Sequence, residues 1–335
     1  MTRFLIRLAG LRASTAVVML VLVLLINSAL SPYFLEPFNL SNVATSAVEV
    51  GLLALPATLL IVAGEIDLSI ASTLAMSSAV LAVVSQTGVE WYFAAGAALA
   101  TGALAGLVNG LLVTHLGLSS IIVTIGTLAL FRGLAEVMLG DQTIQSLPKA
   151  LTGWNLQYLG GSVVTWPHLF LLLITGAFAV LLNQTRTGRS IKLIGGAPDV
   201  ARFSGVRVAR SKVWLFVLSG FVSAVAGLFL VSRLQAVRND IGVGLELVAI
   251  TVVLIGGTDL KGGRGTIWGT LIALCVVGGV RSGLRLAGVP DQVGLSIVGA
   301  LLIIAIMFLA AVGYRNLGKS VRKNADESSA ELIKR

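Results

Sequence analysis

Two carboxylates, Glu65 and Asp67, stand between long apolar runs with almost no loop around them. An ionisable side chain at membrane depth is costly unless it faces water, a partner or a cavity. Gly64 precedes the pair and can break a helix, and the freed backbone groups must then be satisfied by protein or water. The pattern therefore fits either a polar break that lines a translocation path or a tight turn at the membrane surface.

Other polar side chains in or near the apolar runs extend this set of path candidates. Asn109 can hydrogen-bond between helices, and the hydroxyls of Thr124 and Thr127 can either pack helices together or face the path. The complete set of translocation-path candidates is Glu65, Asp67, Ser69, Asn109, Thr124, Thr127 and Glu246.

No motif in the chain supports covalent chemistry or metal binding. His115 and His168 are far apart and lack Cys or carboxylate neighbours at ligand spacing, so we expect neither a metal site nor a catalytic site. Cys275, the only cysteine, lies in the apolar run LIALCVVGG and is predicted to pack in the core. The pattern G-x-x-x-x-G-K-[ST] is absent, so the chain lacks the usual ATP-binding loop.

Composition places the whole chain in a membrane. Its 335 residues are 56% hydrophobic and 12% charged, with a net charge of +9. Soluble domains carry about 25% charged residues, and half that share leaves too little polar surface to face water. The basic residues lie between apolar runs, which indicates topology signals and contacts with anionic membrane lipid rather than nucleic acid.

Hydropathy predicts an all-α, polytopic transmembrane bundle. A spanning helix needs about 20 mostly apolar residues, and about ten runs are candidates, although 245–257 is too short to cross alone. The first run lacks a clear signal-peptide cleavage site and is expected to be a retained helix. The candidate spans are 15–30, 40–63, 68–86, 91–114, 119–139, 167–183, 213–232, 245–257, 265–284 and 293–313.

Basic residues near both ends of the chain predict its orientation. An even number of spans places both termini on one side, and residues rich in Lys and Arg remain in the cytoplasm. We therefore expect a multi-pass membrane protein with both termini cytoplasmic. The terminal basic residues are Arg3, Arg7 and Arg12 at one end, and Arg315, Lys319, Arg322 and Lys323 at the other.

Residues 184–212, here called the basic segment, separate two apolar runs and carry seven basic residues against one acid, Asp199. Short loops of this kind stay on the cytoplasmic side of a bilayer. The segment is longer than a turn requires, and several glycines and Pro198 interrupt it. We predict that it is a cytoplasmic docking element.

A weak internal echo relates residues 59–75 to residues 252–269. Each stretch has an apolar run, a break that contains Gly, an acid and Leu, and then a second apolar run. Transporters are often built from such repeats, and paired interrupted helices mark the substrate site. Chance similarity between low-complexity stretches is the alternative. The frequent glycines, 38 in all, predict close helix packing.

Four stretches together resemble the permease subunits of bacterial ABC importers, specifically the ribose/simple-sugar branch. The resemblance covers most of the chain and implies the ABC importer permease fold for residues 1–314, with 315–335 as a charged cytoplasmic tail. The stretches are AGEIDLSIAST at 63–73, GLVNGLLV with the following IIVTIGTLALFRG, TGRSIKLIGGAPDVARFSGV at 187–206 and GVGLELVAITVVLIGGTDLKGGRGTIWGTLI at 242–272.

The resemblance also implies a role for the basic segment, as the coupling loop of the transporter. In ABC permeases a short cytoplasmic helix docks into a cleft of the ATPase subunit, with the loose signature Glu-Ala-Ala, three residues, Gly. Here DVARFSG at 199–205 matches it. Small residues at 201 and 205 would permit close approach, and the basic side chain at 202 would offer a charge to the partner. The predicted coupling residues are Gly196, Asp199, Ala201, Arg202 and Gly205.

The remaining expectations follow from the same resemblance. No cofactor is expected on this chain, because ATP and Mg would bind the partner ATPase. The further partners would be an extracytoplasmic solute-binding protein and a second permease chain, as a homodimer or with a sister permease. The solute would be a small carbohydrate or sugar-like molecule.

Two departures from the branch pattern bear on the solute. Glu65 stands where the branch usually has Gly, and Ala71 stands where it often has Gly. The extra carboxylate of Glu65 could hydrogen-bond a polyol. The stretch AGVPDQVGLSIVGALLIIAI looks closest to permeases for rhamnose-like deoxyhexoses or an autoinducer-2-type furanone. The alternative class is a secondary ion-coupled transporter that uses Glu65 and Asp67 as proton or sodium sites. That class leaves the docking pattern unexplained.

Overall fold

The computed structural model describes residues 13–290 except 146, 153–157, 160 and 161, together with 293–294, 296–304 and 307. In this part of the chain, nearly all regular structure is α-helical, and strand-like pairing is limited to two isolated bridges, Ile144 with Val237 and Tyr158 with Thr165. The basic residues at 3, 7 and 12 and the predicted tail at 315–335 lie outside the described residues.

Long apolar runs between turn residues form helices whose ends agree closely with the hydropathy pattern. The helices are α1 (Ala13–Leu30), α2 (Pro37–Val62), α3 (Ile70–Gln86), α4 (Trp91–His115), α5 (Ser120–Leu139), α6 (Lys149–Thr152), α7 (Trp166–Gln184), α8 (Arg186–Gly196), α9 (Pro198–Phe203), α10 (Val208–Leu234), α11 (Leu245–Ile255) and α12 (Ile267–Leu286).

The predicted count of about ten spans is not supported. In the described part of the chain, six helices are long and apolar enough to cross a membrane, namely α2, α4, α5, α7, α10 and α12. At 1.5 Å per residue, α3 and α11 reach about 26 and 16 Å, less than the hydrocarbon thickness of about 30 Å. They are parts of interrupted helix pairs, which a hydropathy count cannot distinguish from spans. The predicted span 293–313 lies largely outside the described residues.

Helices α2 and α10 form the centre of the bundle. Their most apolar windows are 83% and 72% buried, whereas those of α4, α5 and α7 are 28% to 39% buried. A helix that is apolar on all sides is expected to be buried, and every residue of α2 from Val48 to Val62 is buried. Helix α10 packs against α2, α3 and α4, and α12 packs against α1 and α2.

Glycines spaced four residues apart let α4 lie directly against α10. A Cβ atom at Gly102 would overlap the carbonyl oxygen of Gly220, and one at Gly106 would overlap that of Phe216. Small residues allow such close approach between membrane helices. The prediction that glycines serve helix packing is confirmed at these positions.

We expect Gly106→Val to separate α4 from α10 and to reduce the yield of folded protein several-fold, because its side chain would displace backbone rather than a flexible neighbour. Gly126→Val on α5 is the matched control, since among the described residues no atom lies within 4 Å of a Cβ placed there. Size-exclusion profiles of detergent extracts measure the effect. A normal profile for Gly106→Val would contradict the close contact.

Candidate functional site

Two helix interruptions meet at one end of the bundle. Residues 63–69 separate α2 from α3, and residues 256–266 separate α11 from α12. The N–H of Gly263 donates to the carbonyl of Val62 at 2.7 Å and joins the two interruptions directly. The repeat-like stretches in the sequence are therefore neighbours in space.

Both interruptions contain the same local turn. Asp67 Oδ1 accepts from the N–H of Ser69 at 2.9 Å, and Asp259 Oδ1 accepts from the N–H of Lys261 at 3.2 Å. A carboxylate that bonds the amide two residues further on stabilises an Asx turn. The sequence echo thus includes a shared turn as well as shared hydropathy.

Asp67 is the centre of a buried polar network between α3, α4 and α10. Its Oδ1 also accepts from Ser69 Oγ at 2.7 Å, and its Oδ2 accepts from Ser219 Oγ at 3.0 Å. Asn109 Nδ2 donates to Ser69 Oγ at 2.8 Å. All four side chains are buried, and such hydrogen bonds offset the cost of burying polar groups. Three path candidates therefore hold the helices together in this conformation.

Glu65 lies at the same end of the bundle, where it forms an ion pair with Lys212 near the start of α10. Both residues line a cleft of about 960 Å³, here called the basic cleft, between the α4–α5 connection and the basic segment. Its other cationic lining residues are Arg202, Arg207 and Arg210. Glu65 thus faces a cleft, whereas Asp67 is enclosed by protein.

The remaining path candidates lie in two places. Thr124 Oγ1 donates to the carbonyl of Ser120 at 2.7 Å and lies 3.3 Å from the carbonyl oxygen of Ile66 in the first interruption. Thr127 lies one turn further along α5 and is also buried. Glu246 is in the first turn of α11, remote from the interruptions, and interacts electrostatically with Arg132. Their role in a translocation path stays a prediction.

The basic segment folds into α8 and α9, which pack on the start of α10. Thr185 Oγ1 caps α8 by accepting from the N–H of Gly188 at 3.1 Å. Ile194 of α8, Ala201 of α9 and Val208 of α10 form a small apolar cluster, and the arginines of α8 remain exposed. Partial burial lowers the pKa of the Lys192 side chain.

The close approach of the ATPase predicted at positions 201 and 205 stays a prediction, and the structure gives both residues a local role. Ala201 is buried inside the cluster and does not present a small outward surface. Gly205 has φ of 78°, and no described atom lies within 4 Å of a Cβ placed there. It ends α9 in a Schellman motif, in which Val206 N–H donates to the Ala201 carbonyl at 3.0 Å. Glycine is needed here for its left-handed backbone.

Other residues form the outward surface of α9. Phe203 is 92% exposed and Val200 is 54% exposed. Asp199 and Arg202 form an exposed ion pair at 3.7 Å, which contributes little by itself. Sequence reasoning missed Phe203, although a phenylalanine inside the basic segment was an available signal because aromatic side chains are enriched in the cores of protein interfaces.

Gly195 and Gly196, at the end of α8, connect the basic segment to both interruptions. A Cβ at Gly195 would overlap the carbonyl oxygen of Val62 and lie 2.6 Å from Gly263 N. A Cβ at Gly196, a predicted coupling residue, would lie 3.6 Å from Gly263 Cα, which is ordinary contact. We call this contact the glycine junction, and its members are Gly64, Gly195, Gly196, Gly262 and Gly263.

We expect Lys212→Glu to destabilise the cleft by placing two carboxylates together, with a loss of several degrees in melting temperature. The double variant Lys212→Glu with Glu65→Lys should recover more than half of that loss, because the attraction is restored. Thermal unfolding of the purified variants measures both. Equal melting temperatures for the single and double variants would show that the pair makes no net contribution.

The chain matches a family model across residues 39–306, and the model describes the permease component of the branched-chain amino acid transport system. The match covers well over half of the chain. The chain belongs to this permease family.

Two individual relatives and one solved structure are similar to this chain over most of its length. The permease is 36% identical over 297 residues to the autoinducer 2 import system permease protein LsrD of Photorhabdus laumondii, covering 86% of this chain and 88% of that protein. It is 36% identical over 296 residues to LsrD of Escherichia coli K12, covering 86% and 89%. An inward-facing ABC transporter of the metal-chelate type aligns with a TM-score of 0.51 and 18% identity, over 88% of this chain and 99% of that one. At that identity the likeness is one of fold.

These findings establish the general role of the permease. It is the membrane component of an ABC importer, a multi-pass protein of the inner membrane and a transport subunit rather than an enzyme. Importers of this type work in general with an ATPase and a solute-binding protein. The resemblance to ABC importer permeases is confirmed, and it replaces the ion-coupled alternative.

Proposed function

We propose that the permease imports autoinducer-2, or a closely related sugar-like solute, when driven by ATP hydrolysis on a separate subunit. The support is 36% identity to LsrD permeases over 86% of the chain. The proposed binding protein captures the solute outside the membrane, so the permease itself needs only weak contacts with it.

The end of the bundle that carries α8 and α9 faces the cytoplasm in this proposal. The basic segment supports that orientation because loops rich in Lys and Arg are retained on the cytoplasmic side. Basic residues near both chain ends favour cytoplasmic termini for the same reason. The argument from an even count of ten spans no longer contributes.

Helix α9 docks into the ATPase, and α8 transmits its movement. The observation that carries this assignment is Phe203, which is 92% exposed on a helix next to the glycine junction. Because Gly195 leaves no space against Val62 and Gly263, a displacement of α8 toward the two helix interruptions must move both of them. ATP and Mg bind to the ATPase, and the permease binds no cofactor.

The translocation path forms between two permease chains, as a homodimer or with a sister permease. In the proposed cycle, movement at the glycine junction shifts α3 through the Asp67 network and opens or closes the path beside Glu65. Ser69, Asn109, Thr124 and Thr127 adjoin that point, and Glu246 lies nearer the other end. Exposed apolar faces of α1, α4 and α5 supply surfaces for lipid and the second chain.

Transport into proteoliposomes tests the function. The permease would be reconstituted with an ATPase subunit and a binding protein, and accumulation of autoinducer-2 would be measured with and without MgATP. We expect uptake that requires both ATP hydrolysis and the binding protein. Uptake driven by a proton or sodium gradient without ATP would contradict the proposal.

A further inference from the structure

A second cavity, of about 650 Å³, lies at the end of the bundle opposite the basic segment. The middle of α2, the C-terminal parts of α10 and α12, and the segment before α11 form its walls. The charged members of its lining are Glu49, Arg233, Arg238, Asp240, Arg281 and Arg285, of which Glu49 pairs with Arg233 and Asp240 pairs with Arg238.

Glu49 is buried in the wall of this cavity. It lies 12 residues after the first residue of α2, or about 18 Å along the helix, and its side chain is 2% exposed. Its Oε1 accepts from Arg233 Nε at 2.7 Å. Its Oε2 has no hydrogen-bond partner among the described residues. A buried acceptor left without a donor is costly, so this carboxylate is suited to receive one from a ligand.

We propose that this cavity is a solute subsite that binds a neutral, hydroxyl-rich molecule through Glu49 and Arg233. A solute hydroxyl donates to Glu49 Oε2, and the Nη groups of Arg233 donate to a solute oxygen. The cavity volume lies within the range of about 300–1,000 Å³ that is usual for small-molecule sites. The inference rests on the proposed function and adds the residues that recognise the solute at this end.

The charges around the cavity define the class of solute. Glu49 and Arg233 form an ion pair, so the guanidinium of Arg233 repels amines and metal cations brought beside the pair, and the buried carboxylate of Glu49 repels an anionic group. A neutral polyol meets neither repulsion and can bind both partners, because each hydroxyl can donate to the carboxylate or accept from a guanidinium. A phosphorylated sugar is the closest molecule that the site should reject.

Protection of a cysteine measures binding in the assembled transporter. Since Cys275 is the only cysteine, Cys275→Ala with Ser46→Cys places a single thiol in the cavity wall, and Tyr33→Cys in the same background is an exposed control outside it. A small thiosulfonate reagent is applied in proteoliposomes. Millimolar autoinducer-2 or D-ribose, tested separately, should slow modification at position 46 about threefold, as expected for two-thirds occupancy. D-Ribose 5-phosphate should not slow modification at position 46. The thiol at position 33 should react at the same rate with and without each of the three solutes.

Two variants assign the protection to the proposed residues. Glu49→Gln removes the charge and one acceptor position, and Arg233→Lys removes the guanidinium, so each should abolish protection. Protection that survives in both variants overturns the assignment. If neither variant assembles, the test uses the chain that carries only Cys275→Ala and Ser46→Cys. Protection of its thiol then shows whether the cavity binds the neutral solutes or the phosphorylated sugar. Failure of both neutral solutes to protect, or protection by the phosphate alone, overturns the subsite.

ATP-dependent uptake in the same vesicles separates this inference from the proposed function. Uptake without protection at position 46 overturns the subsite only. Loss of ATP dependence in vesicles that contain all subunits overturns the proposed function.

Discussion

Replacing Phe203 with Asp should abolish co-purification of the ATPase subunit and lower ATP-driven uptake by about tenfold or more, while the permease remains folded in the membrane. An exposed aromatic side chain that enters a partner pocket often contributes about 2 kcal/mol or more to an interface, and each 1.4 kcal/mol is a factor of about ten in affinity. The side chain is 92% exposed, so its removal costs the isolated chain little packing.

A matched variant separates loss of the aromatic contact from the effect of added charge. Thr187→Asp introduces the same charge at an exposed position of α8 and should retain the ATPase. Affinity purification followed by quantitation of both subunits measures the difference. Equal retention of the ATPase by Phe203→Asp and by the unchanged permease would contradict docking through α9.

Gly195→Ala should disconnect transport from ATPase binding. The added methyl group would overlap the carbonyl oxygen of Val62, and backbone on both sides cannot yield as a flexible side chain would. Helix α8 must then move away from the two interruptions. Because α9 keeps its outward surface, the ATPase should still co-purify, and uptake should fall by about tenfold, the order of effect expected when positioning is lost.

The adjacent glycine provides the control for this variant. Gly196→Ala places a Cβ at 3.6 Å from Gly263 Cα, which is a normal contact distance, so uptake should stay close to that of the unchanged permease. Proteoliposome uptake and ATPase retention measured together distinguish the two glycines. Equal uptake by both variants would show that the junction does not transmit movement.

Much of the helical architecture was predictable because apolar runs and turn residues determine where membrane helices begin and end. The predicted 91–114, for example, became α4 at Trp91–His115. The number of spans was not predictable in this way. Whether α3 and α11 cross the membrane depends on how the interruptions pack, and the decisive hydrogen bond from Gly263 to Val62 joins residues about 200 positions apart in sequence.

The candidate site likewise has features that the sequence predicted and features that it did not. Glu65 and Asp67 were identifiable as acids beside a helix break, and the basic segment was identifiable from its charge. Their partners, Ser219 and Lys212, were not identifiable. Each lies about 150 positions further along the chain, and no local sequence pattern links it to Asp67 or Glu65. Gly205 was identifiable as a glycine in the coupling pattern, but its left-handed backbone, a separate reason for glycine at this position, was not.

Cross-linking from position 203 tests the central claim most directly. A photo-reactive phenylalanine analogue would replace Phe203 in the complete transporter, and the same analogue at Phe93, exposed in the first turn of α4 at the opposite end, would serve as the control. We expect an adduct between position 203 and the ATPase subunit and none from position 93. An assembled, transport-competent complex that gives no ATPase adduct from position 203 would contradict the docking of α9.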